Sequence, residues 1–477
     1  MNILDAIKDN NVFGKHFRGS TWDAWRVFLC ALFALPMTPE QFAIFQKHTG
    51  RSAPSTAPLH EAWLVCGRRS GKSFMLACIA VFLAAFRDWR PFLGPGEVAT
   101  IMIIAADRRQ ARVIMRYCLG LLRAVPMLKQ LIEGQTAESI TLRNRVVIEV
   151  HTASFRSTRG YSLIAALCDE IAYWPSEESA EPDVEILAAI RPGMSTIPGA
   201  MLLCASSPYA RRGALWDAHR KHFGKDGDPI LVWQAATREI NASVPQSVID
   251  AAMEEDQPRA MAEWSAQFRV DVESFVSREA VHLCVALDVH ERAPMSSVRY
   301  YGFVDPSGGS ADSMTLAVGH REDDVVVLDA LRERKPAFSP EDVVSEFAEL
   351  LKSYRVTSIS GDRYAGEWPK ERFRDHGISY EPAQKPKSDL YRDLLPAVNS
   401  RKIDLLDHPR LLTQLVGLER RTARGGRDSI DHAPGAHDDL ANAVAGLAAA
   451  TCSKYRYDSS LDWVAGPDYG KSDADAA

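Results

Sequence analysis

Two sets of residues in this chain have the types and spacing needed for phosphorus chemistry. The first begins Glu61-Ala-Trp-Leu-Val-Cys66-Gly67-Arg68-Arg69-Ser70-Gly71-Lys72-Ser73 and runs on as an apolar, helix-like stretch to Phe86. A strand feeding a glycine-containing turn and then a helix is what a triphosphate needs. Backbone N–H groups and the helix N-terminus face the phosphates, a lysine reaches the β and γ oxygens, and a hydroxyl ligates Mg²⁺. Gly67 to Ser73 thus read as a P-loop, with Lys72 on the phosphates and Ser73 on the metal. Cys66 stands where the usual pattern has its first glycine.

Further along, Leu163-Ile-Ala-Ala-Leu-Cys-Asp169-Glu170 reads as a buried strand ending in two acids. Asp169 would hold the Mg²⁺ hydration shell, and Glu170 would orient and activate the attacking water. A strand ending in acids is ordinary by itself; beside a P-loop it specifies ATP hydrolysis. Positive charge for the transition state is offered by Arg68 and Arg69 in the loop, or by Arg159 in Ser157-Thr-Arg-Gly160, acting in cis or on a neighbouring subunit.

The second set is acidic. Asp305 ends the strand-like Phe303-Val-Asp305, Asp362 ends Ser358-Ile-Ser-Gly-Asp362, and Asp438 and Asp439 open the final helical pattern, either one able to supply a ligand. Each alone would be a turn former or helix cap. Brought together they would repel, unless divalent cations neutralised them. Two Mg²⁺ or Mn²⁺ ions ~3.5–4 Å apart would activate a water and stabilise the leaving oxygen in phosphodiester cleavage. Arg420, Arg421, Arg424 and Arg427 precede the last acids and offer a grip on a phosphate backbone.

The elements that must position these residues divide the chain. Residues 1–60 are aromatic-rich and helical. Residues 61–245 alternate apolar strands with helices, the order of a P-loop ATPase domain of ASCE type with a mainly parallel sheet. Residues 246–297 form a helical linker. From 298 to 452, three consecutive strands followed by helix–strand–helix units predict an RNase H-like nuclease domain, in which the first and fourth strands are neighbours. Ser339 and Pro340 mark the start of its first helix. The tail, 453–477, carries little periodicity and reads as disordered. The fold class is α/β in both domains.

The balance of 56 basic and 62 acidic side chains, net −6, leaves any nucleic-acid contact to one local face. The eight cysteines are scattered with no C-x-x-C pair, which predicts a reducing compartment and no zinc site. Asp5, Lys8 and Asp9 break any signal-peptide pattern, and the run from Phe74 to Phe86 is shorter than the ~18 residues of a membrane span.

This order of parts resembles the large subunit of tailed-phage terminases, including prophage and gene-transfer-agent forms, over about residues 20–450. Met37-Thr-Pro-Glu-Gln41-Phe is similar to that family's adenine motif and implies Gln41 as an adenine contact. Cys204-Ala-Ser206-Ser207-Pro208 is similar to the motif coupling hydrolysis to movement, and His437-Asp-Asp-Leu-Ala-Asn-Ala to the third nuclease motif. The resemblance implies a motor that drives viral double-stranded DNA into a procapsid with ATP and Mg²⁺, and cuts concatemers with two Mg²⁺ or Mn²⁺. It also implies a pentameric ring on the portal protein, a small terminase subunit as partner, no membrane, and a place in the bacterial host cytoplasm rather than in the mature virion. A helicase-nuclease or other DNA-repair ATPase is the alternative; it should carry further nucleic-acid motifs of its own.

Overall fold

The computed structural model describes residues 1–153, 160–174, 182–309, 312–362, 367–422 and 428–452. Arg159, Arg424, Arg427 and the tail lie outside them. The chain forms two compact units, one of 1–287 with 407–441, the other of 288–406 with the chain from Asn442 onward.

The first unit is built on an eight-stranded sheet. Its strands are β1 (Glu61–Cys66), β2 (Ala99–Ala105), β3 (Ile132–Gln135), β4 (Ser139–Leu142), β5 (Val146–Thr152), β6 (Ser162–Asp169), β7 (Met201–Ser206) and β8 (Ile230–Ala235), in the order β3-β4-β5-β2-β6-β7-β1-β8. From β5 to β8 every pairing is parallel; β3 and β4 add antiparallel strands at one edge. The parallel strands are continuous apolar runs because both faces are covered. β3 and β4, four residues each and half polar, gave no strand signal in the sequence. The helix Lys72–Phe86 is buried from Met75 to Ala84, as its unbroken apolar sequence requires.

Residues 1–60 share this core: Trp25, Phe28 and Leu32 pack in one cluster with Leu64, Leu231 and Trp233. The short strands β9 (Val272–Ser274) and β10 (Val285–Ala286) follow later in the sequence.

The second unit holds β11 (Tyr300–Asp305), β12 (Met314–Glu322), β13 (Val325–Arg334), β14 (Ser358–Gly361), β15 (Ser379–Pro382) and β16 (Ile403–Leu406), in the order β16-β13-β12-β11-β14-β15. The first three are antiparallel, and β14 pairs parallel to β11, as the sequence pattern predicts. The Ser339 side chain accepts from Asp342 N at the head of helix Pro340–Ser353, with Pro340 in the first turn. To the strands the sequence pattern predicts, the structure adds β16 and a hairpin, β17 (Leu418–Thr422) and β18 (Asp428–His432). That hairpin belongs to the first unit, in a small antiparallel sheet of order β18-β17-β9.

The final helix, Asp439–Cys452, is seated by close packing. A Cβ on Gly446 would lie 2.3 Å from the Phe303 ring, and one on Gly319 would lie 2.7 Å from Leu447 Cδ2. Phe303 is buried at 1% exposure and cannot swing away. Gly446→Val should therefore lower stability by about 1–3 kcal/mol through overpacking, measured as a shift in the urea midpoint at unchanged slope. No helix among the described residues is long and apolar enough to cross a membrane.

Candidate functional site

Strand order fixes the first site. β7 lies between β1 and β6, so Ser206 and Ser207 at its carboxyl end fall between the P-loop and the Asp169–Glu170 pair. The side chains meet there. Lys72, only 6% exposed, places Nζ 2.8 Å from Glu170 Oε1 and 3.4 Å from Ser207 Oγ. Glu170 Oε2 accepts from Ser207 N and from Ser206 Oγ, each at 3.2 Å. Ser73 Oγ donates to Asp169 Oδ2 at 3.2 Å. Gly71 takes a left-handed conformation, φ 92°, where a side chain would be strained.

The electrostatics call for a cation. Burial, then repulsion from Glu170, pushes the Asp169 carboxyl up to about 6. Burial also opposes charge on Glu170, but Lys72 outweighs it and holds that carboxyl below its ordinary value. Burial opposes charge on Lys72, and Glu170 and Asp169 overcome it, so the ammonium is held above its ordinary value. Two carboxylates thus share one lysine, and Asp169 Oδ1 is buried with no hydrogen-bond partner among the described residues. The hydroxyl of Ser73, the Asp169 carboxylate and an uncompensated negative charge fit Mg²⁺.

The other residues expected at this site have distinct surroundings. Arg68 is exposed and pairs with Glu263 at 3.4 Å; Arg69 is exposed and has no ion pair among the described residues. Gln41 completes a capping box at the head of helix Pro39–Thr49: its Oε1 accepts from Thr38 N at 2.9 Å, and its own N donates to Thr38 Oγ1 at 3.3 Å. That Thr-x-x-Gln spacing is itself a helix-start signal, a role for Gln41 beyond the adenine contact that the resemblance implies. Among the described residues the Gln41 NH₂ makes no hydrogen bond.

In the second unit, β11 and β14 run side by side with Phe303 opposite Ser360 and Val304 opposite Gly361. The half-buried Asp305 and Asp362 follow directly at the same level, and Asp362 N donates to Val304 O at 3.2 Å. Sequence reasoning missed the residue that joins them. Asn442, 1% exposed, donates its NH₂ to Asp305 Oδ2 at 2.8 Å and to Asp362 Oδ2 at 3.4 Å. Its Oδ1 is buried without a hydrogen-bond partner among the described residues. Asn442 lies within the quoted third motif, three residues after Asp439, so helical spacing could have found it. Tyr380 closes one side, its hydroxyl donating to Asp362 O at 2.9 Å; burial, then Asp362 and Asp305, raises its pKa. An amide proton donor between two adjacent carboxylates occupies the place where divalent cations would neutralise them, so the donor set fits Mg²⁺ or Mn²⁺.

Asp438 and Asp439 fall at the end of the segment assigned to the first unit, 5% and 9% exposed. Asp439 is the first residue of the helix that carries Asn442 one turn later. Ligand atoms of Asp438, Asp431 and His432 lie within 4.8 Å of one another.

Of the expected DNA-contacting arginines, Arg420 stacks over Phe275, 5.7 Å from the ring centre. Arg421 is half-buried, donating to Glu419 at 3.0 Å and to His432 O at 2.7 Å. Glu419, fully buried, also accepts from Tyr209 Oη at 2.7 Å and pairs with Arg212. Glu419→Ala would remove the carboxylate that two half-buried guanidinium groups and the Tyr209 hydroxyl share, and should cost about 1–3 kcal/mol, read from chemical denaturation of the whole chain.

No family model and no curated protein matches this sequence. Among solved structures, the chain is similar to the large terminase of bacteriophage HK97, at 16% identity over 94% of this chain and 99% of that one, TM-score 0.41. It is also similar to the large terminase of a thermophilic bacteriophage in complex with ADP, at 12% identity over 82% of this chain and 93% of that one, TM-score 0.36. The large terminase nuclease of another thermophilic phage, G20c, matches at 16% identity over 37% of this chain and 97% of that one, TM-score 0.33.

Proposed function

We propose that the chain is the large subunit of a phage-type terminase, an ATP-driven motor for double-stranded DNA whose second unit cleaves DNA with two divalent metal ions. One observation carries the motor half: Lys72, Glu170, Ser206 and Ser207 form a single hydrogen-bonded cluster beside Ser73 and Asp169.

Lys72 neutralises Glu170 across a 2.8 Å ion pair. Triphosphate in the loop would draw Lys72 to the β and γ oxygens and release Glu170 to accept the proton of the attacking water. The Ser207 amide and Ser206 hydroxyl that hold Glu170 would then feel its change of charge at the end of β7, which links hydrolysis to a backbone able to move. Bound Mg²⁺ would neutralise the phosphate oxygens. An arginine, the exposed Arg69 or Arg159, which lies outside the described residues, would serve the transition state, and Gln41 would use its NH₂ on the adenine.

In the second unit, Asp305, Asp362 and a carboxylate from the head of the Asn442 helix would hold the metal pair. Asp439 is preferred over Asp438, since it stands one turn before Asn442 on the same helix face. Bound metals would lower the pKa of the attacking water and stabilise the leaving oxygen. Arg420 would contact the DNA backbone, joined by Arg424 and Arg427. The same reading implies a pentameric ring on a portal, a small subunit that selects DNA, and action in the host cytoplasm.

The test is packaging in vitro: procapsids, duplex DNA and Mg-ATP, scored by protection of DNA from added nuclease. ATP-dependent protection supports the proposal. Strand separation on a forked duplex without protection would instead support a helicase-nuclease.

A further inference from the structure

Three successive carbonyls of the P-loop each accept a hydrogen bond from a different side chain. Arg68 O accepts from Thr237 Oγ1 at 2.7 Å, Arg69 O from Asn241 Nδ2 at 2.8 Å, and Ser70 O from Trp25 Nε1 at 2.9 Å. The donors come from two directions. Trp25 is on the buried helix Asp23–Phe33, whereas Thr237 opens and Asn241 caps the end of the short helix Thr237–Ile240 that follows β8. β8 pairs with β1 in parallel, and its last carbonyl, Ala235 O, accepts from Gly67 N at 3.1 Å, so β8 delivers the two polar residues to the loop. Contact is close enough that a Cβ on Gly67 would meet Thr237 Oγ1 at 2.3 Å.

In a trans peptide unit the C=O and the following N–H point in opposite directions. Anchoring the carbonyls of residues 68, 69 and 70 therefore fixes the directions of the amides of Arg69, Ser70 and Gly71, each of which points away from its anchored carbonyl's donor. The anchors also hold Arg69 at φ 60°, a left-handed conformation that a side chain rarely adopts unaided.

We propose that Thr237, Asn241 and Trp25 are positioning residues that set the loop amides for a nucleoside triphosphate before it binds, so that binding does not have to order the loop. The proposal rests on the nucleotide reading of the loop, and the experiment separates the two. Full-length protein carrying Thr237→Val, Thr237→Ser, Asn241→Asp or Lys72→Ala is titrated with Mg-ATP and Mg-ADP by calorimetry. Steady-state turnover and melting without nucleotide are measured alongside.

Thr237→Val and Asn241→Asp should each weaken nucleotide binding about tenfold, the equivalent of one lost hydrogen bond. Turnover at saturating ATP should change far less, and Thr237→Ser, which keeps the hydroxyl, should bind like the parent. Parent-like affinity in Thr237→Val and Asn241→Asp, with binding lost in Lys72→Ala, would overturn the positioning role and leave the loop assignment standing. Parent-like binding and turnover in Lys72→Ala would overturn the loop assignment itself. If Thr237→Val melts too early to titrate, Asn241→Asp and Thr237→Ser decide. A merely structural role would lower the melting temperature without changing affinity in the variants that stay folded.

Discussion

Replacing Glu170 with glutamine should lower ATP turnover by at least about a hundredfold, the range expected for loss of a positioned general base, while Mg-ATP still binds. The substitution keeps the shape. A carbonyl oxygen at Oε2 can still accept from Ser207 N and Ser206 Oγ, so the end of β7 keeps its contacts. What disappears is the group that takes a proton, together with the charge that pairs with Lys72. Lys72→Ala should also abolish turnover, but through loss of phosphate contacts, so it should weaken binding as well. Both variants should retain metal-dependent DNA cleavage, because the acids of the second unit lie on a different sheet. Phosphate release and plasmid nicking, measured on the same preparations, check the pair of expectations. Unchanged phosphate release in either variant would remove the ATPase assignment.

Asp305→Asn and Asp362→Asn should each abolish DNA cleavage in Mg²⁺ or Mn²⁺ and leave ATP turnover intact. The two carboxylates are adjacent across the parallel β11–β14 pair, so either one lost leaves too few anionic oxygens for two cations. Asn442→Ala tests the supporting residue: as a partner that orients both acids, it should reduce cleavage about 10–100-fold rather than abolish it. A fully active nuclease in Asp305→Asn would show that these acids only terminate strands.

What could be read from the sequence follows from how local each feature is. Gly67 to Ser73 and Asp169–Glu170 each sit within one contiguous stretch, so strand, turn and charge are visible together. Asp305 could be found because it ends an apolar run and Asp362 because it follows the next short strand pattern, and the order of strands predicted that β11 and β14 would be neighbours. β16, β17 and β18 could not, being four or five residues long and carrying charges such as Glu419, Arg420 and Arg421. Glu419 reads as a surface charge until Tyr209, Arg212 and Arg421, distant in sequence or on its own strand, enclose it. Asn442 escaped because a neutral amide is not among the residue types sought as metal ligands. Thr237, Asn241 and Trp25 escaped because a carbonyl anchor has no sequence signature at all.

The route of the backbone has a consequence for biosynthesis. Residues 407–441 return to the first unit after the chain has left it at 287, and β17 supplies the partner that pairs with β9. A nascent chain emerging from the ribosome can build its large parallel sheet early. The small sheet must wait until the whole stretch through β17 has been translated, with the β9 edge bare and Tyr209 and Arg212 lacking Glu419 until then. A gene cut after residue 287 would leave that interval permanent, so a fragment of the first unit made this way would carry an unfinished seam.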